Sequence, residues 1–301
     1  MILSANTSNY LYKKYGNDFP IEVLAKAGFD AVDLTIIESV RNDDSIFNSD
    51  DFRNEAKRLL NVAKDNGVFF NQAHAYFPSS RGDEEFDKAA YKKIVRCIEI
   101  ASIIGAKTII VHPKQHLNYL EDDNAEILKE INYKFYKSLM PYCESFGIKI
   151  ATENMWQSNK YSKAITDSTC SKGKEFCEYV DMVDSEYMTA CLDIGHCVLV
   201  GQAPEKMIRT LGHDRLTALH VHDNNGKDDS HVMPFTPFCS TINWEEVCKA
   251  LAEIDYKGDF TFEAENSYLG TNAENIHIAV KHLHDIGRYL IGRIEYYKSI
   301  K

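Results

Sequence analysis

Short runs of β-branched and aromatic residues alternate with longer amphipathic stretches along the whole chain. Eight short runs predict buried strands, at residues 2–5, 31–36, 68–74, 108–112, 149–154, 188–193, 218–222 and 259–263. The amphipathic stretches after them predict helices that begin near Pro20, Asp50, Glu84, Asn124, Lys172, Pro204, Asn243 and Asn272. Strands that alternate with helices in this way are typical of repeated βα units around a parallel sheet.

The number of units indicates the fold class, α/β. Eight consecutive βα units, with no antiparallel hairpin among them, favour a closed (β/α)8 TIM barrel, because open doubly wound sheets normally use about five to seven strands. No Gly-x-Gly-x-x-Gly follows the first strand, which argues against a nicotinamide-binding sheet. No low-complexity linker divides the chain, so residues 1–301 are predicted to form one barrel domain.

Composition excludes several classes of protein. The 301 residues include 34 Lys plus Arg and 45 Asp plus Glu, which gives a formal charge of −11 without a basic run, so nucleic acid is not an expected partner. The apolar runs are far shorter than the roughly 18 residues of a membrane span, and the first residues do not resemble a signal peptide. We therefore expect a cytoplasmic protein with no membrane partner. The eight cysteines contain no Cys-x-x-Cys pair and are predicted to be reduced thiols.

Ionisable side chains stand where six consecutive predicted strands end. They are His74, His112, Glu153, Asp193 with His196, His220 with His222, and Glu263 with Glu265. These ends meet at one face of a barrel, where active sites lie. Glu153, Asp193, His220 and Glu263 would repel one another there without a cation, so they are predicted to hold a divalent metal ion, with structural ion pairing as the alternative. Alternation along a strand separates neither His220 from His222 nor Glu263 from Glu265.

Several motifs occur in order at these strand ends. They are Gln72-Ala73-His74, Val111-His112-Pro113, Thr152-Glu153-Asn154, Leu192-Asp193-Ile194-Gly195-His196, a segment from His220-Val221-His222-Asp223 to Asp229-Ser230-His231, Ile242-Asn243-Trp244, and Phe262-Glu263. With this order and spacing, the chain resembles the xylose isomerase-like TIM barrel superfamily over essentially its whole length. Within the superfamily it is most similar to the sugar phosphate isomerase/epimerase group.

The resemblance implies a metal-dependent isomerase or epimerase of a sugar or a sugar phosphate. One Mn, Mg, Co or Zn ion, held by the four residues named above, would stabilise an enediolate formed from a ketose or aldose. Glu153 and Glu263 would be the base and the acid that move the proton. Substrate hydroxyls would be bound by His74, His112, His196, Asp229 and His231. Trp156 and Tyr76 are candidates for the floor of the sugar pocket.

The same superfamily contains a rival from another reaction class, the deoxyribonuclease IV-type apurinic endonucleases, which use three zinc ions. Their ligands match His74, His112 and Glu153 for one zinc, Glu153, Asp193, His220 and Glu263 for the second, and His196, Asp229 and His231 for the third. The loops after the strands, however, offer Arg81 and little else to a DNA backbone. The endonuclease is therefore the alternative to the sugar enzyme. A non-catalytic sugar or metal binder is a third hypothesis.

The identity of the sugar is left open by two departures from the ketohexose 3-epimerase pattern. Asn159 and Gly226 stand where those enzymes carry a substrate-binding Glu and an Arg, which argues against a D-psicose or D-tagatose 3-epimerase. For quaternary structure, Tyr289, Tyr296 and Tyr297 on the last predicted helix are candidates for a homodimer interface or for packing under the barrel.

Overall fold

Parallel strands form the centre of the molecule, for which a computed structural model describes residues 1–301 apart from the side chains of Asn9, Tyr10 and Glu38. The strands are β1 (Leu3–Asn6), β2 (Ala31–Thr35), β3 (Phe69–His74), β4 (Thr108–Ile110), β5 (Lys149–Glu153), β6 (Trp156–Ser158), β7 (Ile165–Asp167), β8 (Met188–Asp193), β9 (Leu216–His220) and β10 (Phe260–Phe262). All except β6 and β7 form one sheet in the order β10-β1-β2-β3-β4-β5-β8-β9. A parallel bridge between Val221 and Phe262 joins its two ends. The predicted (β/α)8 TIM barrel is therefore confirmed.

Helices surround the barrel. They are α1 (Asn9–Tyr15), α2 (Asp18–Ala27), α3 (Ile37–Arg41), α4 (Phe52–Asp65), α5 (Glu84–Ile103), α6 (Asn124–Phe146), α7 (Gly173–Asp181), α8 (Ile194–Leu199), α9 (Pro204–Arg215), α10 (Trp244–Glu253) and α11 (Ile276–Ser299). The eight predicted helices all exist and begin within four residues of the predicted positions. The short helices α1, α3 and α8 have at most seven residues, about two turns, which is too short to show a helical periodicity in the sequence.

The prediction that no antiparallel hairpin interrupts the βα units is wrong. Strands β6 and β7 pair antiparallel, with Trp156 opposite Asp167 and Ser158 opposite Ile165. Each of these strands has three residues, so neither shows an alternation that could be recognised in the sequence. The hairpin follows β5 closely and therefore lies at the C-terminal mouth of the barrel.

The interior of the barrel has an apolar side and a polar side. The apolar side, on β4, β5, β8 and β9, is the small cluster Ile110, Ala151, Cys191 and Ala218. The polar side, on β1, β2, β3 and β10, is a hydrogen-bonded chain of Ser4, Asn71, Thr261, Gln72 and Asp33. The main hydrophobic core lies outside the barrel, between the strands and the helices.

Three further predictions concern the surface and the thiols. No helix in the described chain is long and apolar enough to cross a membrane. All eight cysteines are free, six buried and two, Cys177 and Cys239, half-buried. Tyr289 and Tyr296 are 57% and 48% exposed, whereas the Tyr297 hydroxyl is bonded to Glu245. The homodimer stays a prediction.

Candidate metal centre and active site

A cavity of about 620 Å³ opens at the C-terminal ends of the barrel strands, where TIM barrels carry their active sites. The predicted catalytic and substrate-binding residues that line it are Glu153, Glu263, His74, His112, His196, Asp229 and His231. Trp156 also lines the cavity. Tyr76 is instead buried below the Lys93 ammonium group, and Arg81 stacks on Phe86 outside the cavity lining.

The four predicted metal ligands meet at the floor of the cavity. Ligand-type atoms of Glu153, Asp193, His220 and Glu263 all lie within 4.8 Å of one another. His220 Nδ1 is 3.3 Å from Glu153 Oε2 and 3.1 Å from Glu263 Oε2. Three of these residues end β5, β8 and β9, and Glu263 directly follows β10, so four neighbouring strands supply the group. The structure therefore groups His220 and Glu263, rather than His222 and Glu265, with the other two predicted ligands, Glu153 and Asp193.

This group fits a divalent cation. Glu153, Asp193 and Glu263 are all less than 9% exposed, and buried carboxylates in contact repel one another unless a positive charge compensates them. Glu153 Oε2 and both ring nitrogens of His220 are buried and have no hydrogen-bond partner among the described residues. Buried polar atoms without a partner are rare in proteins. Carboxylate oxygens with one imidazole nitrogen are donors that suit Mn, Mg, Co or Zn.

His74 and His112 lie beside this group on the β3 and β4 side. Their rings stack with centroids 4.7 Å apart, and His112 Nε2 is 3.3 Å from Glu153 Oε2. Burial lowers the pKa of His74 well below its usual value, and the neighbouring His112 lowers it further, so the His74 imidazole is neutral. Burial alone would raise the pKa of Glu153, but His220 and His112 hold it well below its usual range. Glu153 is therefore an ionised carboxylate.

A second ion-paired group lies on the other side of the cavity floor. Asp229 Oδ2 is 3.3 Å from His196 Nε2 and 3.2 Å from His231 Nε2, and it accepts a hydrogen bond from Trp156 Nε1 at 3.1 Å. The ring of His222 stacks on His231 at 4.0 Å, and its Nε2 lies 3.0 Å from Asp193 Oδ1. Burial alone would lower the pKa of His196, but Asp193 and Asp229 raise it to about 10, so His196 is protonated. His222 thus links this group to the predicted metal ligand Asp193.

Asp223 fixes the loop that carries Asp229 and His231. Its carboxylate is fully buried and accepts hydrogen bonds from the backbone of Asn224 and Thr241 at 2.9 and 3.0 Å. It also accepts from Ser240 Oγ at 2.7 Å and from Trp244 Nε1 at 2.8 Å. Both ends of the connection between β9 and α10 are therefore tied to a single side chain.

Comparison with known proteins agrees with this geometry. Residues 21–286 match the family described as xylose isomerase-like TIM barrel. The chain belongs to this family.

Two curated relatives of this xylose isomerase-like chain are uncharacterised proteins. One, y4fM from Sinorhizobium fredii, is 25% identical over 171 residues, which are 55% of this chain and 50% of the relative. The other, MJ1311 from Methanocaldococcus jannaschii, is 30% identical over 186 residues, which are 61% of this chain and 59% of the relative. The chain thus matches about half the length of these relatives.

Solved structures match this xylose isomerase-like barrel over nearly its whole length. A D-tagatose 3-epimerase-like protein superposes with a TM-score of 0.76 at 21% identity, and the match covers 98% of this chain and 99% of that protein's chain. A D-psicose 3-epimerase crystallised with D-fructose has a TM-score of 0.72 at 17% identity, with 97% and 100% covered. An IolI protein with a bound zinc atom has a TM-score of 0.74 at 16% identity, with 99% of both chains covered. At these identities the likeness establishes the fold.

Other polar residues at or below the cavity of this xylose isomerase-like barrel were not predicted from the sequence. Asp33 is fully buried below His220, and an acidic residue within the apolar run 31–36 was the signal for it. Gln115, Asn118 and Gln157 line the cavity with amide groups. Gln115 and Asn118 lie on the connection after β4, and Gln157 lies on the hairpin. Neither segment has a periodicity of apolar residues, so no pattern in the sequence indicated these three residues.

Proposed function

We propose that this chain is a divalent-metal-dependent sugar isomerase or epimerase. The observation that carries the proposal is the pair of buried carboxylates, Glu153 and Glu263, which approach His220 Nδ1 at 3.3 and 3.1 Å at the floor of the cavity. Two buried acids beside one exposed cavity suit the transfer of a proton between carbon atoms or between the faces of one carbon. The sugar epimerases among the proteins of similar fold support the reaction class.

The residues of the chain have separate tasks in this reaction. A divalent ion held by Glu153, Asp193, His220 and Glu263 would supply positive charge beside a substrate carbonyl, which makes the neighbouring C–H more acidic. Glu153, which is ionised, accepts this proton, and Glu263 supplies one from the other side. His74, His112, His196, Asp229 and His231 bind the sugar hydroxyls. Trp156 holds Asp229 in place through its indole N–H.

Solvent deuterium tests the reaction class for any sugar that the cavity accepts. The protein, reconstituted with Mn²⁺, Co²⁺, Mg²⁺ or Zn²⁺, is incubated in D₂O with a panel of free and phosphorylated ketoses and aldoses. NMR should detect deuterium at the carbon next to the carbonyl of at least one sugar, together with its isomer or epimer. E153Q and E263Q should each lower this rate by about 100-fold or more.

The matched control is E85Q, which makes the same change at an exposed position on α5. E85Q should exchange deuterium at the wild-type rate. Substantial turnover by E153Q or E263Q would contradict the assigned roles. Binding of a sugar without exchange by the wild-type protein would indicate the non-catalytic binder.

A three-zinc phosphodiesterase is the second candidate. Two further groups of ligand-type atoms favour it, His74 with His112 and Glu153, and His196 with His222, Asp229 and His231. The charges at the cavity oppose it. Among the described lining residues the Lys and Arg side chains are Lys160, which pairs with Glu121, and Arg41, which donates to the Phe77 carbonyl. Three zinc ions per chain by plasma mass spectrometry, with cleavage of abasic DNA, would establish this activity; about one ion per chain supports the sugar enzyme.

We also propose that residues 1–301 act as one domain and that the protein works in the cytoplasm. Eight free thiols, six of them buried, support a reducing compartment. Detection of the native protein with a specific antibody in separated cell fractions tests the location, and the cytoplasmic fraction should contain it.

A further inference from the structure

We propose that Asp33, at the middle of β2, is a positioning residue that fixes the proton of His220 on Nε2 and so leaves Nδ1 free to bind the metal ion. The proposal rests on the proposed function only in that a divalent ion occupies the site of Glu153, Asp193, His220 and Glu263. Asp33 itself belongs to no ligand set assigned above. Its role is to orient one ligand from the side away from the cavity.

The two nitrogens of the His220 ring face opposite surroundings. Nδ1 points towards the carboxylates of Glu153 and Glu263, at 3.3 and 3.1 Å. Nε2 points into the barrel, where Asp33 Oδ2 lies 3.8 Å away. At 3.8 Å this is a contact between a carboxylate and a ring nitrogen and not a formed hydrogen bond, so the hydrogen bond itself is part of the proposal. Both His220 and Asp33 are fully buried, so water does not compete for this contact.

The polar side of the barrel interior sets the direction of this contact. Ser4 Oγ donates to Asn71 Oδ1 at 2.7 Å, and Asn71 Nδ2 donates to Thr261 Oγ1 at 3.1 Å. Thr261 then donates to Gln72 Oε1 at 3.4 Å, and Gln72 Nε2 donates to Asp33 Oδ2 at 3.0 Å. Every donor in this series of hydrogen bonds points towards Asp33. The carboxylate at its end has acceptor positions left, and Oδ1 has no hydrogen-bond partner among the described residues.

A carboxylate acts only as an acceptor, so the group that meets it from His220 must carry the proton. The His220 tautomer with Nε2–H meets this requirement, and it is the tautomer whose Nδ1 lone pair faces the ligand group. Among the described interior neighbours, Ile110, Ala151 and Ala218 are apolar. His74, which stacks on His220 with ring centroids 4.9 Å apart, is a neutral imidazole and carries no negative charge. Cys191 also faces His220, but a thiol is a weak acceptor. A carboxylate behind a metal-bound histidine is a recurrent arrangement that orients the ring and strengthens binding.

The substitution D33N tests this role because it preserves the shape of the side chain. Its amide presents N–H donors as well as one oxygen, and Gln72 already supplies a donor to that oxygen. Gln72 donates to Oδ2, the oxygen that also faces His220 Nε2, so the amide oxygen stays at that position. D33N therefore keeps an acceptor there but loses its negative charge, which weakens the preference for the tautomer with Nε2–H. Affinity for Zn²⁺, measured by competition with a chromophoric chelator, should fall about 10- to 100-fold.

C191A is the matched control, because it removes the other polar group that faces the same ring. It should leave the affinity for Zn²⁺ within about threefold of wild type. Urea unfolding of each metal-free variant checks that the barrel is intact. Equal affinities of D33N and wild type would overturn the proposal, as would a larger loss in C191A than in D33N.

A second measurement needs no variant. In protein labelled with ¹⁵N-histidine and loaded with Zn²⁺, the His220 signal should show coordination through Nδ1 and a hydrogen-bonded proton on Nε2. Coordination through Nε2 would overturn the proposal while leaving the metal site intact. Failure of the wild-type protein to bind Zn²⁺, Mn²⁺, Co²⁺ or Mg²⁺ would overturn the proposed function together with this role of Asp33.

Discussion

Gly195, in the first turn of α8, leaves the space that His222 occupies. A Cβ atom built on Gly195 would lie 2.0 Å from His222 Cε1 and 2.5 Å from both ring nitrogens. An ordinary contact begins near 3.4 Å, so in G195A the rigid ring must move by about 1.4 Å or the helix must shift. His222 Nε2 lies 3.0 Å from Asp193 Oδ1, and a displacement of that size breaks this contact.

The expected effects of G195A follow from this displacement. Overpacking of a buried site costs about 1–3 kcal/mol, which urea unfolding of the metal-free protein measures. Asp193 Oδ1 contacts both the His222 ring and the backbone N–H of His196. Loss of the His222 contact should weaken Zn²⁺ binding about 10-fold or more, measured by chelator competition. G292A is the matched control, because a Cβ there meets nothing within 4 Å on the long helix α11 and should leave both quantities unchanged or raise stability slightly. G195A with the stability and the metal affinity of wild type would refute the reasoning.

Three other outcomes follow from buried groups. D223N replaces a carboxylate that accepts four hydrogen bonds and should lower the free energy of unfolding by about 2–3 kcal/mol in urea titrations; an unchanged value would contradict the role of Asp223 in fixing the loop. Burial raises the pKa of Glu175 from 4.5 to about 7, so the folded state keeps a proton that the unfolded state loses, and this group makes stability fall as pH rises from about 4.5 to 7. E175Q can still accept the Tyr119 hydroxyl, so its free energy of unfolding should exceed that of wild type by about 1–3 kcal/mol at pH 8 and by clearly less at pH 5. E186Q, an exposed change on the connection after α7, is the control, and equal gains of E175Q at both pH values would disprove the explanation. Finally, Mn²⁺ added to chelator-treated protein at about 100 times its Kd should stabilise the fold by about 2.7 kcal/mol, and a melting temperature that does not change would argue against the metal site.

The barrel could be predicted from the sequence because its strands are long or strongly apolar and its helices carry clear start signals. Glu84, Asn124 and Pro204 begin helices where the sequence places them. The hairpin at Trp156 was missed because its two three-residue strands include polar, partly exposed residues, whereas the equally short β4 and β10 are mostly apolar and buried. The spacing of apolar residues indicates whether a segment is a helix or a strand, and it does so best where the segment is long.

The site could be predicted only in part, for a geometric reason. The ends of six strands bring nine ionisable side chains to one face, and barrel topology alone makes them neighbours. His220 and His222 are both fully buried, so burial does not distinguish them. Only the directions of the side chains do: the His220 ring contacts Glu153, whereas the His222 ring contacts Asp193 from the other group. Asp33 was missed because its significance depends on a partner 187 positions away along the chain, His220.

Residues around the cavity stand on two separate sheets, the barrel and the β6–β7 hairpin, and these differ in how freely they can change. The ligand-type residues stand at the ends of barrel strands, where any backbone shift is transmitted to the neighbouring strands of the sheet. Trp156, Gln157 and Ser158 line the same cavity from a small two-stranded sheet that has no pairing with the barrel. Substitutions, insertions or deletions between β6 and β7 can therefore remodel the shape of the cavity while the predicted metal ligands at its floor keep their geometry. If the proposed function holds, variation in the hairpin gives this barrel a route to a new sugar without the loss of its chemistry.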